Sequence, residues 1–334
     1  MTLQSRDILL KSRPQGMPTA DNFEAVTVTV PDPGPGQVQV RNLWMTVDPY
    51  MRGRMVDRPS YVPPFQLGQA LLGGAIGEVT ASGDERFKPG DLVQSMWGWR
   101  EAFTQPADTL TAVNTHGLPP QALLGVAGMP GLTAYVGLTK VAQAKAGETV
   151  FVSAASGAVG SVVCQIAKIK GCTVIGSAGG PEKIAFLKEI GVDVAIDYKA
   201  EPDLAAALAK AAPQGIDVYF DNVGGEHLEA ALAVANRFAR LAICGMISAY
   251  NSDQPPAAPR NLGLVIGKCL RIEGFIVGNH WDLMPEYVGQ LAAWVAEGKV
   301  VWKETVVDGV EAAPEAFLKL FKGENLGKML VKLG

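Results

Sequence analysis

ETVFVSAASGAVGSVVCQIAKIKG, residues 148–171, decides the fold. Its first seven residues read as a buried strand, apolar and β-branched. From Ser156 onward the period changes. Val159, Val162, Val163, Ile166 and Ala167 recur at i, i+3 and i+4, the stripe of a helix that packs on one face, predicted over 156–171. Between the two lies Ala154-Ala-Ser-Gly157-Ala-Val-Gly160. Glycines in a turn carry information only in such a strand–turn–helix setting. Gly157 lets the backbone approach a pyrophosphate, Gly160 lets helix and strand pack closely, and the helix start offers free N–H groups to the anion. The first glycine of the usual G-x-G-x-x-G is replaced by Ala or Ser. The alternative for this stretch is a strand–helix turn that merely needs small residues.

The same grammar continues downstream. CTVIGSA, VDVAIDY, GIDVYFDNVGG, RLAICGM and RIEGFIVG read as further strands, with helices PEKIAFLKEIG, EPDLAAALAKAAP and EHLEAALAVAN between them. Alternation of this kind predicts a parallel sheet covered on both faces. Upstream, FEAVTVTVPDPGPGQVQVRNLWMTV and GGAIGEVTASGDERFKPGDLVQSM are short strands broken at Pro-Gly clusters, so the first third is β-rich and barrel-like. Residues 121–143 read as two helical pieces interrupted around Gly128–Gly131. The tail, 301–334, mixes strand, helix and strand and is expected to pack back on the first domain. A chain of 334 residues is too long for one core. The expected division is 1–125 with 303–334, and 126–302.

Twenty residues past Gly157 stands Ser177, where an NAD site tends to hold a carboxylate for the ribose hydroxyls. Pro181 suits the first turn of a helix, and Lys183 lies in that turn. A cation there opposes the helix dipole, and a bound 2′-phosphate reverses that cost. The pairing favours NADPH over NADH; a solvated surface lysine is the alternative. Ligands of open parallel sheets sit at the carboxyl ends of the strands, which here carry Tyr198, Asn222, the run 244–250 and Phe275 to Val277.

Composition excludes other classes. The chain is 48% hydrophobic and 19% charged, with net charge −4 and no long basic run, which leaves no electrostatic case for nucleic acid or an anionic membrane. Residues 109–139 hold no Asp, Glu, Lys or Arg, but their glycines and prolines argue against a spanning helix. The four cysteines, Cys164, Cys172, Cys244 and Cys269, form no C-x-x-C pair and are expected as buried small hydrophobes. The N-terminus lacks the apolar core of a signal peptide, and a cytoplasmic protein is expected.

VDPYMRGRM (47–55), GMPGLTAY (128–135), AASGAVGSVV (154–163), GCTVIGSAGGPEK (171–183), DNVGGE (221–226), CGMISAYN (244–251) and ENLGKMLVK (324–332) together resemble the medium-chain dehydrogenase/reductase superfamily. Within it the chain is similar to the zinc-free group of prostaglandin, curcumin and plant double-bond reductases, over essentially its whole length. The resemblance implies a GroES-like β-rich catalytic domain beside a Rossmann doubly wound domain, NADPH as cofactor, and a homodimer joined through the nucleotide-binding domains. It places Gly157, Ala158, Val159 and Gly160 at the pyrophosphate, and Lys183 and Tyr198 at the 2′-phosphate. Asn222, Cys244, Gly245, Met246, Ile247, Ser248, Tyr250, Phe275, Ile276, Val277 and Asn325 contact the rest of the cofactor, so the tail is expected to return to it. Tyr50 and Met129 match positions beside nicotinamide and substrate, and Tyr61 is expected on a loop near the substrate. One departure is GNHW (278–281), where some relatives carry a tyrosine and an arginine; His280 and Trp281 are expected to reshape one wall of the substrate site.

LGQALLGGAIGEV (67–79) sharpens the chemistry. In zinc alcohol dehydrogenases a similar run carries a metal-binding His, where this chain has Gln69 and Ala70. His116, His227 and His280 lie far apart with no Cys near any of them, and a catalytic zinc needs about three protein ligands. No metal is expected. An α,β-unsaturated carbonyl accepts hydride at Cβ more readily than a simple ketone does, and donors can hold the resulting enolate oxygen. The resemblance puts Tyr250 at the nicotinamide ribose and substrate. Three roles stay open for it: donor to the enolate, proton relay to Cα, or a tyrosine that only fixes the cofactor. The expected activity is NADPH-dependent reduction of the C=C bond of small-molecule enals and enones. The competing readings are a quinone reductase of the same superfamily and a non-catalytic NADPH-binding protein.

Overall fold

The computed structural model describes residues 3–115, 117–252, 254 and 258–334. His116 and part of the 251–262 loop lie outside the described residues. The chain divides into two compact units, Met1–Leu124 with Glu304–Asn325 and Met329–Gly334, and Gly125–Lys303 with Leu326–Lys328.

The second unit holds a six-stranded parallel sheet built from β1 (Thr149–Val152), β2 (Thr173–Ala178), β3 (Val194–Asp197), β4 (Ile216–Asp221), β5 (Ala235–Ile243) and β6 (Arg271–Gly274). Their spatial order is β3-β2-β1-β4-β5-β6. Every pair is parallel, with Phe151 of β1 opposite Ile175 of β2 and Tyr219 of β4. This is the order of the doubly wound dinucleotide-binding sheet, whose ligand lies outside the carboxyl ends where the order reverses, between β1 and β4. The crossovers carry α1 (Gly160–Ile169), α2 (Pro181–Glu189), α3 (Leu204–Ala211) and α4 (Gly225–Val234). The apolar run of each strand explains its place. Phe151, Val152, Ile175, Val218, Tyr219 and Phe220 are all buried, as strands covered on both faces must be. The helix predicted from Ser156 begins four residues later, at Gly160, because 154–159 stays an open turn. The predicted interruption of 121–143 falls at 125–128, ahead of the helix Met129–Val136, which runs on into a π-helical turn at Gly137–Val141.

The first unit is antiparallel. Its main sheet runs Glu304–Asp308, Lys328–Lys332, Gln37–Thr46, Ala75–Ser82, Leu92–Ser95 and Thr111–Ala112, with Ala102–Pro106 also on Gln37–Thr46. Leu3–Leu10 pairs along its whole length with Phe23–Val30. The core centres on Ile8, Leu10, Met45, Met51, Trp99 and Phe317. There Phe23 stacks on Trp99 at 5.8 Å, with Phe317 edge-on to both. The LGQALL segment is tied to the first strand: Leu10 N donates to Gln69 O (3.1 Å) and Leu71 N to Ile8 O (3.1 Å). Gln69 therefore works through its backbone while its side chain is exposed.

Cys164 and Cys172 are buried as expected. Cys269 is exposed instead, in a left-handed conformation (φ 52°) that ends the helix Leu264–Lys268. The helix before it has no fully buried residue, although Val265 of that helix packs against the core that Leu270 enters. Among the described residues no helix is long and apolar enough to cross a membrane.

Candidate active site

The turn after β1 is shaped by its backbone. Ala154, one residue before the frame's first glycine position, takes φ +46°, the left-handed region that glycine enters without strain. Ala155 N donates to Ser177 O (2.9 Å), which pins the turn to β2. A methyl group on Gly160 would lie 2.4 Å from the Ala154 carbonyl oxygen and 2.8 Å from Ala155 Cα, so only glycine fits where α1 meets the turn. Gly157, Ala158 and Val159 are half-buried between fully buried neighbours, an open window of backbone at the helix start. The tail closes one side. Gly157 bridges Gly327, and Gly327 N donates to Ser156 O (2.9 Å). Asn325 stands two residues before that contact.

The ends of β2 and β3 carry the charge. Gly180 (φ 98°) leads into α2, and Lys183 sits in its first turn. Burial, and then the positive charge of Lys199, hold the Lys183 ammonium below its usual proton affinity. Tyr198 lies just past β3, with its hydroxyl pushed up by burial and by the Asp197 carboxylate. Its ring meets His227 of α4 edge-on, 5.2 Å between centroids. Burial drives His227 down to about 4, so it is neutral near pH 7. Ser177, where an acid would mark NAD, is fully buried. A glycine turn open to an anion, followed by a lysine weakened by burial and then by a neighbouring positive charge, fits a 2′-phosphorylated dinucleotide.

At the switch between β1 and β4 the pivot is Asp221, fully buried and not singled out in the sequence. Its Oδ1 accepts from Ser153 Oγ (3.2 Å), Tyr219 Oη (2.7 Å) and the amides of Val223 and Gly224 (2.8 Å each). Its carbonyl accepts from Cys244 N (2.9 Å) and Gly245 N (3.0 Å). The signal available was an Asp ending a strand just before a Gly-Gly turn. Asn222 is fixed on Ser153, its N to Oγ (2.9 Å) and its Nδ2 to the carbonyl (2.7 Å). Ser248 Oγ donates to Val223 O (2.6 Å), and Met246 packs over Gly224, which laces 221–225 to 244–250. Burial and the Asp221 charge push the Cys244 thiol up to about 12, so it is no nucleophile.

Tyr250 closes that second loop on itself. It follows the single 3-10 turn Ile247–Ala249, and Met246 N points to its hydroxyl at 3.4 Å. The hydroxyl lies 2.9 Å from where a methyl on Gly245 would be. Phe275, just past β6, sets its ring edge-on to Phe220 (6.2 Å) and over Gly137, whose missing side chain makes the room. Ile276 is exposed, and Val277 opens the turn Val277–Leu283, in which Trp281 is exposed and His280 marks a kink. Met129 opens its helix half-buried, its carbonyl accepting from Thr133 Oγ1 (2.7 Å). One edge of the parallel sheet thus gathers the turn at 157–160, Lys183, Tyr198, Asn222, the run 244–250 and Phe275 to Val277.

In the first unit Tyr50 and Tyr61 share a neighbour the sequence reading missed. Arg54 is buried, 4.0 Å over the Phe65 ring, and its Nε donates to Pro63 O (2.9 Å). It hydrogen-bonds the Tyr50 hydroxyl and lies within charge range of Tyr61. Burial, then Asp48, raise the Tyr50 hydroxyl. Tyr61 is largely exposed. The signal for Arg54 was its place one helical turn after Tyr50.

The chain matches two family models, one described as the N-terminal domain of oxidoreductase over residues 6–113 and one as zinc-binding dehydrogenase over 158–296. It is 42% identical to the NADPH-dependent curcumin reductase of Escherichia coli, covering 99% of this chain and 97% of that protein. It is 44% identical to the NADP(+)-dependent 2-alkenal reductase of Nicotiana tabacum, covering 98% and 97%. The crystal structure of CurA from Vibrio vulnificus in complex with NADPH superposes with a TM-score of 0.93 at 40% identity, covering 98% of this chain and 99% of that one. A shared architecture and identity along the full length place this chain in the medium-chain dehydrogenase/reductase superfamily, in the group of curcumin, 2-alkenal and prostaglandin reductases.

Proposed function

We propose that this protein reduces the C=C bond of α,β-unsaturated aldehydes and ketones, with NADPH and without a metal. The observation that carries the reading is the Tyr250 hydroxyl, folded over Gly245 in the same row of strand ends as the glycine turn and Lys183. NADPH supplies the hydride when bound. Gly157 to Gly160 receive its pyrophosphate, Lys183 and Tyr198 its 2′-phosphate, and Asn222, residues 244–248, Phe275 to Val277 and Asn325 line its nicotinamide half. Tyr250 donates a hydrogen bond to the substrate carbonyl oxygen as negative charge gathers there, and Tyr50, Tyr61 and Met129 contact the substrate.

Zinc, which one family description names, does not fit the donor set. Among the described residues no three of His, Cys, Asp and Glu come together as ligands. Gln69 presents an exposed side chain from a segment that pairs with the first strand. The free thiols support a reducing, cytoplasmic setting.

The test is turnover of enals, enones, quinones and simple aldehydes with NADPH, in the wild type and in Tyr250→Phe. Enones are expected as the preferred acceptors. The variant is expected to lose about 100-fold in kcat, as when an oxyanion donor is removed, with NADPH affinity unchanged. Wild-type kcat in the variant removes the tyrosine's role, and reduction of simple aldehydes but not enones removes the activity.

We also propose a homodimer. β6 is an outer strand with all four residues exposed, and Ile266 on the adjoining helix is 84% exposed, so a paired edge and an apolar contact both await a partner. Light scattering is expected to give twice the chain mass of 35.2 kDa; a monomer rejects it.

A further inference from the structure

A second lysine stands beside Lys183. Lys199 follows Tyr198 past the end of β3, and its side chain doubles back over the end of β2. A methyl group on Gly179 would lie 2.8 Å from Lys199 Cε, 3.0 Å from its Cδ and 3.1 Å from Tyr198 Cζ. Two side chains from the neighbouring strand end thus cross a residue that has none. Asp197 fixes the crossing. Its Oδ1 accepts from the amides of Gly180 (3.0 Å) and Lys199 (3.1 Å), so the loops that carry Lys183 and Lys199 hang on one atom. His227 backs Tyr198 from behind, and its buried Nε2 has no hydrogen-bond partner among the described residues. Its contribution to Tyr198 is packing. Lys199's charge also reaches Lys183, where it adds to burial in weakening the ammonium. The two like charges oppose each other, and a phosphate monoester between them, with about −1.5 to −2 charge near neutrality, reverses the sign of that interaction.

We infer that Lys199 is a further cofactor-specificity residue: with Lys183 it forms a two-lysine clamp on the 2′-phosphate of NADPH, and Gly179 is the space that lets it reach. The inference rests on the NADPH reading above.

Calorimetric binding of NADP+ and NAD+ to the full chain tests it without turnover. Lys199→Met keeps the alkyl stem across Gly179 and removes the charge. Its expected effect is about tenfold weaker NADP+ binding, an unchanged NAD+ affinity, and a shallower salt dependence for NADP+. Gly179→Ala puts its methyl against the flexible end of Lys199 and is expected to reproduce the selective loss, while Lys199→Arg retains NADP+ preference. The inference is overturned if Lys199→Met binds NADP+ as the wild type does, or loses both nucleotides by the same factor. A wild type that binds NADP+ no tighter than NAD+ rejects the NADPH reading itself, and the clamp with it.

Discussion

The turn at 154–160 and the strand ends at 177–199 lie along the same edge of one sheet, yet they are made from different material. The turn is almost all backbone. Ala154 sits in a left-handed conformation, Gly160 has no room for a methyl, and Ser156 lends its carbonyl to Gly327. The strand ends are side chains set on a brace: Lys183, Tyr198 backed by His227, and Asp197 holding two amides. Under the proposed reading the first grips whatever all dinucleotides share, and the second chooses among them. A backbone site has few settings that still fold, whereas side chains can be exchanged one at a time. Affinity is therefore expected to be brittle here and selectivity easily tuned.

The sharpest way to break this contrast is Gly160→Ala. The added methyl meets backbone atoms at 2.4 and 2.8 Å, and nothing flexible is there to yield. An overpacking cost of up to about 3 kcal/mol predicts about 100-fold weaker binding of NADPH and NADH alike. Titration calorimetry with both nucleotides checks it; a selective loss of NADPH alone would erase the distinction between the two regions.

His227→Phe probes the brace next. The neutral imidazole is favoured in the folded state, about 4 against an ordinary 6.5. Between those values the unfolded chain binds a proton that the folded chain does not. The histidine's contribution is complete above pH 6.5 and is lost as the pH falls toward 4, by up to about 3 kcal/mol. Phenylalanine keeps the ring contact with Tyr198 and cannot titrate. Urea unfolding from pH 7 to pH 4 should fall less steeply in the variant by roughly one proton's worth of slope. Parallel curves would mean that His227 is not held neutral.

The smallest effect is expected from Ala154→Gly. Relief of the left-handed strain, partly offset by glycine's extra freedom when unfolded, predicts stabilisation of up to about 1 kcal/mol with no change in nucleotide preference. Chemical denaturation measures the first and calorimetry the second.

What the sequence discloses follows the same line. The strand, the glycine spacing and the helix stripe are local, so Gly157, Gly160 and the alternating sheet were legible. The place of Lys183 in the first turn of a helix was legible because Pro181 opens that turn. The place of Lys199 over Gly179 was hidden, because it comes from the end of β3 lying beside the end of β2, a neighbourhood made by the order of the sheet. Asp221 and Arg54 were missed because each works by holding other groups, and no spacing announces that. The start of α1 was read four residues early because Ala158 and Val159 continue an apolar pattern through a turn whose conformation is set by Ala154. Cys269 was misplaced because its left-handed backbone at the helix end leaves it exposed while its neighbours Val265 and Leu270 turn to the core.

Gly327 has a consequence in time. It takes φ +66° and has Lys303's carbonyl oxygen 1.9 Å from where a side chain would begin, so no other residue could close against Ser156 as it does. It is also made about 170 residues after Gly157. At about 5–20 residues per second, the ribosome needs roughly 10–30 s to reach it. For that interval residues 154–160 have been made and the strap of residues 326–328 that crosses them has not. The turn is among the earlier parts of the second unit to be synthesised, and its strap is the last.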